Sequence, residues 1–183
     1  DAHKAIPGFV VSALFRANPY MHYFAQEYGE KGMDKEGFSG RDGRTTIFDY
    51  WSVESLRHWI NDGRYDGGKL TTEQQALRQF YAKLLDIAQS EQVVVNGSFY
   101  DLMFANEKNP CFNSHRQYAF LRKSGNEVLL VAVNFDKADQ TIKIKIPVEA
   151  FKSLGFEDNK AALLTDLLSG DQCISTLTDA CPY

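Results

Sequence analysis

The sequence contains little cysteine and little histidine, and neither residue has the spacing of a metal site. Its three cysteines, Cys111, Cys173 and Cys181, are too few and too scattered for a disulfide scaffold or a four-ligand zinc site. We expect mostly free thiols, because a bridge between Cys173 and Cys181 would need an oxidising compartment. The four histidines show no ligand spacing, and no phosphate-cradling motif of the P-loop or dinucleotide-binding kind is present. The sequence therefore predicts no metal and no cofactor.

Long apolar runs and an excess of positive charge are also missing. The longest apolar run, residues 128–133, is far shorter than the roughly 20 residues that span a bilayer, and no segment resembles a signal peptide. Lys and Arg number 20 against 24 Asp and Glu, a formal net charge of -4, so no general basic field is available for phosphates. We expect neither a membrane nor nucleic acid as a partner. The first residue is Asp1 rather than Met, which we interpret as processing or as excision from a longer chain.

The remaining composition is that of a folded globular protein rich in aromatic residues. Of the 183 residues, 44% are hydrophobic, 24% charged and 13% aromatic, enough for one generous domain or two small ones. Helical periodicity dominates before Ser90, and strand-like alternation dominates after it. We therefore expect an α+β protein with a helical part at residues 1–89 and an all-β part at residues 90–183.

Three helices are predicted in the first part. Apolar residues recur at helical spacing over residues 3–16, and a short helix is expected over residues 53–61. Thr71 and Gln74 have the spacing of a capping box, and the apolar face that follows predicts a helix to about residue 88.

The second part predicts a small antiparallel β domain. Three segments with alternating or apolar character are separated by short polar turns and predict a three-stranded meander, namely residues 118–122, 128–135 and 141–146. Three shorter segments could add strands and complete a small sandwich, namely residues 93–96, 102–105 and 162–166.

A predicted strand and a long loop precede the densest group of polar side chains. The aromatic stretch 20–25 predicts a buried strand, and five glycines within residues 29–43 predict a loop. Carboxylates and arginines stand here beside tyrosines and a tryptophan, which is the composition of a sugar-binding cleft. A solvated loop above an ordinary aromatic core is the alternative. Glu27 and Asp49 could form a glycosidase carboxyl pair, or Glu27 could instead bond backbone amides at the strand end.

Residues 18–29, with the sequence NPYMHYFAQEYG, resemble the eighth barrel strand of the α-amylase family of glycoside hydrolases. The matching residues are Pro19, Tyr23, Glu27 and Gly29, whereas Asn18 and Ala25 stand where the family has glycines. Residues 43–51, GRTTIFDYW, are similar to the substrate-facing loop after that strand in Bacteroides-like amylases.

The resemblance extends in order over most of the chain. Residues 3–16 are similar to the seventh barrel helix and residues 77–88 to the eighth, and residues 93 onward are similar to the all-β domain that follows the barrel. Residues 131–135, VAVNF, resemble a core strand of that domain. The implied fold is the C-terminal helical fragment of a (β/α)8 barrel followed by an antiparallel β-sandwich domain.

The same resemblance implies a function for the parent protein and a restricted role for this chain. The parent would be a retaining hydrolase of α-glucans or maltooligosaccharides. The family's nucleophilic Asp, general acid Glu and stabilising Asp would all precede Asp1, so no catalytic residue is expected here and the chain alone should be inactive. The residues implied to line the substrate cleft are Glu27, Arg44, Asp49, Tyr50 and Trp51.

Two other functions remain open from the residues themselves. The β part could be a carbohydrate-binding or interaction module without catalysis, provided that aromatic residues form an exposed platform, for which the candidates are Phe99, Tyr100, Phe104 and Phe112. An unrelated small enzyme would instead use Glu27 and Asp49. The sequence does not fix the compartment.

Self-association is a further expectation. If barrel neighbours are missing, strand 20–25 would present an unpaired edge, and the helix over residues 3–16 would expose Phe9, Val10 and Leu14. Both surfaces would favour pairing with a second copy.

Overall fold

The computed structural model describes residues 2–30 and 53–177, and its fold class is α+β, as predicted. Six α-helices are present in these residues: α1 (Ile6–Leu14), α2 (Glu54–Ile60), α3 (Thr72–Ser90), α4 (Gln92–Val95), α5 (Met103–Asn106) and α6 (Val148–Leu154). The five strands there are β1 (Ser98–Asp101), β2 (Gln117–Ser124), β3 (Glu127–Asn134), β4 (Lys160–Thr165) and β5 (Gln172–Leu177). Short 3₁₀-helices cover Ala2–Ala5 and Gln26–Tyr28.

Contacts between Cα atoms divide the chain into two units. The first comprises Asp1–Ile6 and Pro19–Lys83, and the second comprises Pro7–Asn18 and Leu84–Tyr183. The predicted division at residues 89 and 90 differs chiefly in the placement of residues 7–18, which share their contacts with the second unit.

Helix α1 confirms the prediction made from its apolar spacing. Pro7 is its second residue, where a missing backbone N–H costs no helical hydrogen bond. Phe9, Val10 and Leu14 are buried, because the helix packs within the second unit. The apolar face on which the predicted self-association depended is therefore not exposed.

Residues 20–25 do not form the predicted buried strand. They are irregular, and Met21 is 88% exposed. A strand needs a neighbour to accept its backbone hydrogen bonds, and none of the strands in the described residues pairs with this segment. The chain instead turns at Ala25 into the 3₁₀-helix Gln26–Tyr28. The exposed strand edge from which self-association is predicted is therefore not formed at residues 20–25, and self-association itself stays a prediction.

Helices α2 and α3 lie close to their predicted positions. In α3, the Gln74 backbone N–H donates to Thr71 Oγ1 at 3.2 Å, and the Thr71 N–H donates to Gln74 Oε1 at 3.0 Å. This reciprocal pair is the predicted capping box. The buried face of the helix consists of Leu77, Tyr81, Leu84 and Ile87.

The main sheet has three antiparallel strands in the order β1-β2-β3. Strands β2 and β3 confirm two predicted members of the meander, and a two-residue turn at Gly125 joins Ser124 to its partner Glu127. The predicted third member, residues 141–146, is not in the sheet. The third strand is instead β1, which lies at the opposite edge and pairs Phe99 of β1 with Arg122 of β2.

Residues 141–146 nevertheless have the predicted alternation of exposure. Ile144 and Ile146 are buried, whereas Lys143 and Lys145 are exposed. The segment is not a strand because asparagine side chains and one backbone carbonyl, rather than a neighbouring strand, bind its backbone. Alternation reports which side of an extended segment is buried, and it does not identify the hydrogen-bond partner.

The remaining predicted strands have mixed outcomes. Residues 93–96 and 102–105 lie mainly in the short helices α4 and α5, so those two predictions are wrong. A short apolar run fits a buried helical turn as well as a strand. Val93 and Val94 are buried in a helix here, so their apolar character alone could not distinguish the two elements. Residues 162–166 do form a strand, β4, which pairs with the unpredicted strand β5.

One apolar core lies behind the main sheet in the second unit. It joins side chains of β2 to those of α6 and of the extended segment before that helix. Its buried members are Leu102, Phe112, Ala119, Leu121, Ile144, Ile146, Ala150, Phe151 and Leu154.

Candidate functional site

Of the predicted cleft residues, Glu27 lies in the described part of the chain. Arg44, Asp49, Tyr50 and Trp51 fall within residues 31–52, outside the described residues. The site is therefore built here from Glu27 and the side chains of the first unit that surround it.

Glu27 forms a close pair with His22. The His22 Nε2–H donates to Glu27 Oε2 at 2.8 Å, and both side chains are half-buried. The other ring nitrogen, Nδ1, is buried and has no hydrogen-bond partner in the described residues. A carboxylate oxygen can only accept, so the contact with Glu27 is made by an Nε2–H of the ring. The predicted role of Glu27 at a strand end is wrong, because no strand is present there.

The turn that carries Glu27 depends on left-handed backbone at two positions. Ala25 has φ +62° and Gly29 has φ +71°. A Cβ atom on Gly29 would lie 2.8 Å from Ala2 Cβ, so no larger residue fits without a shift. These two residues place Gln26 and Glu27 in a single 3₁₀ turn.

Gln26 binds two tyrosines beside this pair. Its Nε2 donates to the hydroxyl of Tyr81 at 3.1 Å and to that of Tyr20 at 3.4 Å. The ring of His22 stands edge-on to Tyr81, with centroids 5.4 Å apart. Burial raises the pKa of the Tyr81 phenol, with Tyr20 and Glu27 acting in the same direction and the Gln26 hydrogen bond opposing them. Tyr81 therefore keeps its hydroxyl proton and remains a hydrogen-bond donor.

Tyr28 and Glu30 anchor the end of the turn. Tyr28 is buried, and this burial raises the pKa of its phenol against the opposing hydrogen bond of Arg78. The hydroxyl of Ser55 donates to the Glu30 carboxylate and so ties residue 30 to the first turn of α2. Glu30 is thus held in a structural bond and is not free for chemistry.

This arrangement can bind but shows no catalytic pair in the described residues. It offers one carboxylate, one imidazole, one amide and several aromatic rings, which suit the hydroxyls and apolar faces of a sugar. Glycoside hydrolysis needs two carboxyl groups at a set separation, and Asp49, the proposed partner of Glu27, lies outside the described residues.

Sequence reasoning missed His22 and Tyr81 as members of this site. The sequence shows no ligand spacing around His22, and Tyr81 falls within the apolar face of the predicted third helix. His22 is five residues from Glu27 along the chain and Tyr81 is 55 residues from Gln26. Only the turn at Ala25 brings the first pair together, and no periodicity in the sequence signals it.

The aromatic platform expected on the β part is not formed. Phe112 is buried, and Phe99 packs against the rings of Phe15 and Phe120 at centroid distances of 4.5 and 5.4 Å. Phe104 alone of the four candidates is mainly exposed, at 60%. A contiguous sugar-binding face therefore does not exist at these positions.

Residues 2–30 and 53–177 contain neither a metal-site cluster nor a membrane-spanning helix. No group of three or more His, Cys, Asp or Glu side chains there is placed to hold a metal ion. No helix in the same ranges is long and apolar enough to cross a bilayer. Cys111 and Cys173 are free and exposed, and Cys181 lies outside the described residues.

The chain was compared with known proteins. No family model matches it, and no match was found among curated proteins. The residues and the local backbone of the first unit are therefore the basis for a function.

Proposed function

We propose that this chain is the C-terminal part of a retaining α-amylase-like glycoside hydrolase that acts on α-glucans, and that the chain itself lacks the catalytic carboxylates. The observation that carries the proposal is the backbone of the turn before and after Glu27. Ala25 and Gly29 both have positive φ values. Both stand where the family pattern has glycine.

The backbone at Ala25 supports the proposal because an alanine has no intrinsic preference for it. A left-handed conformation costs an L-residue with a Cβ roughly 1 to 2 kcal/mol, and alanine gains nothing locally to offset it. A family whose pattern has glycine at this position explains the geometry, since glycine adopts it without that cost. Gly29 keeps both the family residue and the conformation.

The proposed mechanism of the parent is double displacement. One carboxylate forms a glycosyl-enzyme intermediate, and a carboxylic acid protonates the leaving oxygen. The proposal gives neither role to Glu27, whose carboxylate accepts a hydrogen bond from His22. Its proposed role is to shape the wall of the cleft, with Arg44, Asp49, Tyr50 and Trp51 lining the substrate side.

The proposal extends to the finer architecture. The helical part would belong to the end of a (β/α)8 barrel, and the part from residue 90 onward would be a β-sandwich domain. The order of elements supports this assignment: helices α1 to α3 come first, and the antiparallel strands β1 to β5 follow together with the short helices α4 to α6.

Hydrolysis by the isolated chain tests the division of labour. We expect no release of reducing ends from starch, maltoheptaose or pullulan over several hours, because the chain supplies no catalytic pair. Hydrolysis that is lost in Glu27→Gln and kept in the matched control Glu30→Gln would overturn the proposal in favour of a small enzyme.

The coding region upstream of Asp1 tests the family. The proposal requires an open frame in which Asp, Glu and Asp follow earlier barrel strands. An upstream frame without them, or a start codon directly before Asp1, would contradict it.

A further inference from the structure

The loop that joins α2 to α3, residues 61–69, has an unusual backbone. Positive φ values occur at five of its residues, which are Asn61 (+47°), Asp62 (+56°), Gly63 (+88°), Tyr65 (+57°) and Gly67 (+68°). Asn, Asp and Gly adopt this conformation readily, but for a bulky aromatic residue it is a true outlier. Tyr65 is therefore the residue of this loop whose conformation needs a reason.

The loop is held firmly in this conformation. The backbone N–H groups of Tyr65 and Gly67 donate to the carbonyl oxygens of Ile60 and Trp59 at 2.9 and 3.0 Å. One oxygen of Asp66 accepts from the side-chain amide of Asn61 at 2.7 Å and from the Gly68 N–H at 2.9 Å. These bonds lower the pKa of Asp66, with the bond from Asn61 contributing most. A loop with this many internal bonds presents its side chains in one fixed arrangement.

The strained residue does not contribute its ring to a core. Tyr65 is 62% exposed, and its ring contacts that of Trp59 edge-on at a centroid distance of 5.7 Å. Backbone strain of this kind persists only where the surroundings enforce it, and it is concentrated at ligand-binding positions. Here the enforced conformation displays one face of an aromatic ring to solvent.

The loop that carries Tyr65 also carries four exposed charged residues. Asp62 and Lys69 form an exposed ion pair at 2.6 Å, and Arg64 and Asp66 precede and follow Tyr65 in the chain with their side chains exposed. An exposed aromatic ring in a loop that also carries charged donors and acceptors matches a pyranose, whose C–H face is apolar and whose rim carries hydroxyls. A preformed surface also loses little conformational entropy when it binds.

We propose that residues 61–69 form a carbohydrate-binding surface on which a glucose unit stacks against Tyr65 and its hydroxyls bind the neighbouring charged side chains. The choice of an α-linked glucan as ligand rests on the function proposed above. The surface itself does not depend on that function, because the strain, the exposure and the surroundings of Tyr65 are the observations behind it.

The test is a titration of the full chain with maltoheptaose and, in a parallel sample, with cellohexaose. The chemical shift of the Trp59 indole N–H in the NMR spectrum reports binding. We expect a saturable shift with maltoheptaose. Tyr65→Phe keeps the ring and should bind within about twofold of the unchanged chain, whereas Tyr65→Ala should bind about tenfold more weakly or not at all. Tyr65→Gly is a second variant without the ring, and it accepts the positive φ without strain. Phe104→Ala, which removes a similarly exposed ring elsewhere, is the matched control and should change nothing.

The outcomes separate this inference from the proposed function. Maltoheptaose binding that is unchanged in Tyr65→Ala and Tyr65→Gly would overturn the surface while leaving the amylase proposal intact. Binding of cellohexaose alone, lost with the ring, would support the surface and count against an α-glucan as its ligand. Absence of binding by either oligosaccharide would overturn the surface.

Discussion

The side chain of Arg122, on β2, is a buried cation held by backbone carbonyl groups. It is 3% exposed, and its guanidinium donates to the carbonyl oxygens of Phe15, Val94 and Gly97 at 2.5, 2.6 and 2.9 Å. These carbonyls lie at the C-terminal ends of α1 and α4, where helix dipoles place partial negative charge. Burial lowers the pKa of the guanidinium, and Arg16 acts in the same direction.

Replacing Arg122 by Met should destabilise the chain by about 3 kcal/mol or more, because three carbonyl groups lose a charged donor in a buried place. Arg122→Lys should recover only part of this loss, since an ammonium group cannot reproduce the planar fork of donors. The measurement is urea unfolding followed by circular dichroism. Arg116→Met, at an exposed position, is the control and should change stability by no more than about 0.5 kcal/mol. Equal effects of the two Met substitutions would show that the carbonyl contacts contribute little.

At the scale of elements, the extended segment 141–146 is held by side chains that act in place of a neighbouring strand. Asn106, which is fully buried, accepts from the Lys145 N–H at 2.8 Å and donates to the Lys145 carbonyl at 2.9 Å. Asn109 donates to the Lys143 carbonyl at 2.7 Å. The amide of an asparagine side chain thus pairs with the backbone as a peptide group in a sheet would.

Asn106→Leu has a similar volume but removes this pairing. We expect the free energy of unfolding to fall by about 2 to 4 kcal/mol, because the N–H and carbonyl of Lys145 and the carbonyl of Leu102 would lose their hydrogen-bond partner. Hydrogen exchange of the Lys145 amide should speed up by more than that of amides in β2. The exposed substitution Asn96→Ala serves as a control, and protection at Lys145 that survives Asn106→Leu would contradict the role assigned to Asn106.

At the scale of the whole molecule, the second unit includes a segment from the beginning of the chain. Residues 7–18 belong to it together with residues 84–183. The ring of Phe15 packs 4.5 Å from Phe99 and 5.7 Å from Phe120, and its carbonyl binds Arg122. Residues near the beginning of the chain therefore stabilise the β part, although they are far from it in sequence.

A chain of residues 84–183 alone should consequently be less stable than the same chain with a synthetic peptide of residues 7–18 added in trans. Each large apolar side chain that the peptide buries is worth roughly 1.5 to 3 kcal/mol. Thermal unfolding at increasing peptide concentration is the measurement, and the midpoint should rise with concentration. A peptide with Phe15→Ala should have a smaller effect. A midpoint that does not respond to the peptide would mean that the β part folds without residues 7–18.

The candidate site was predictable in composition but not in contacts. The sequence identified Glu27 through its neighbours and through its resemblance to a family pattern. Its pairing with His22 depends on the left-handed backbone of Ala25, which no pattern of residue types predicts. The other predicted cleft residues lie outside the described residues, so their placement stays a prediction.

The sequence by itself determined the features whose hydrogen bonds are local. The capping box of α3, the apolar face of α1 and the hairpin of β2 and β3 all connect residues a few positions apart or follow a regular period. Only the tertiary structure decided the partners of extended segments. Residues 20–25 have no strand to pair with in the described part of the chain, and residues 141–146 are bound by asparagines 34 and 39 residues away. An extended backbone satisfies its polar groups through distant neighbours, and a local pattern carries no information about which neighbours those will be.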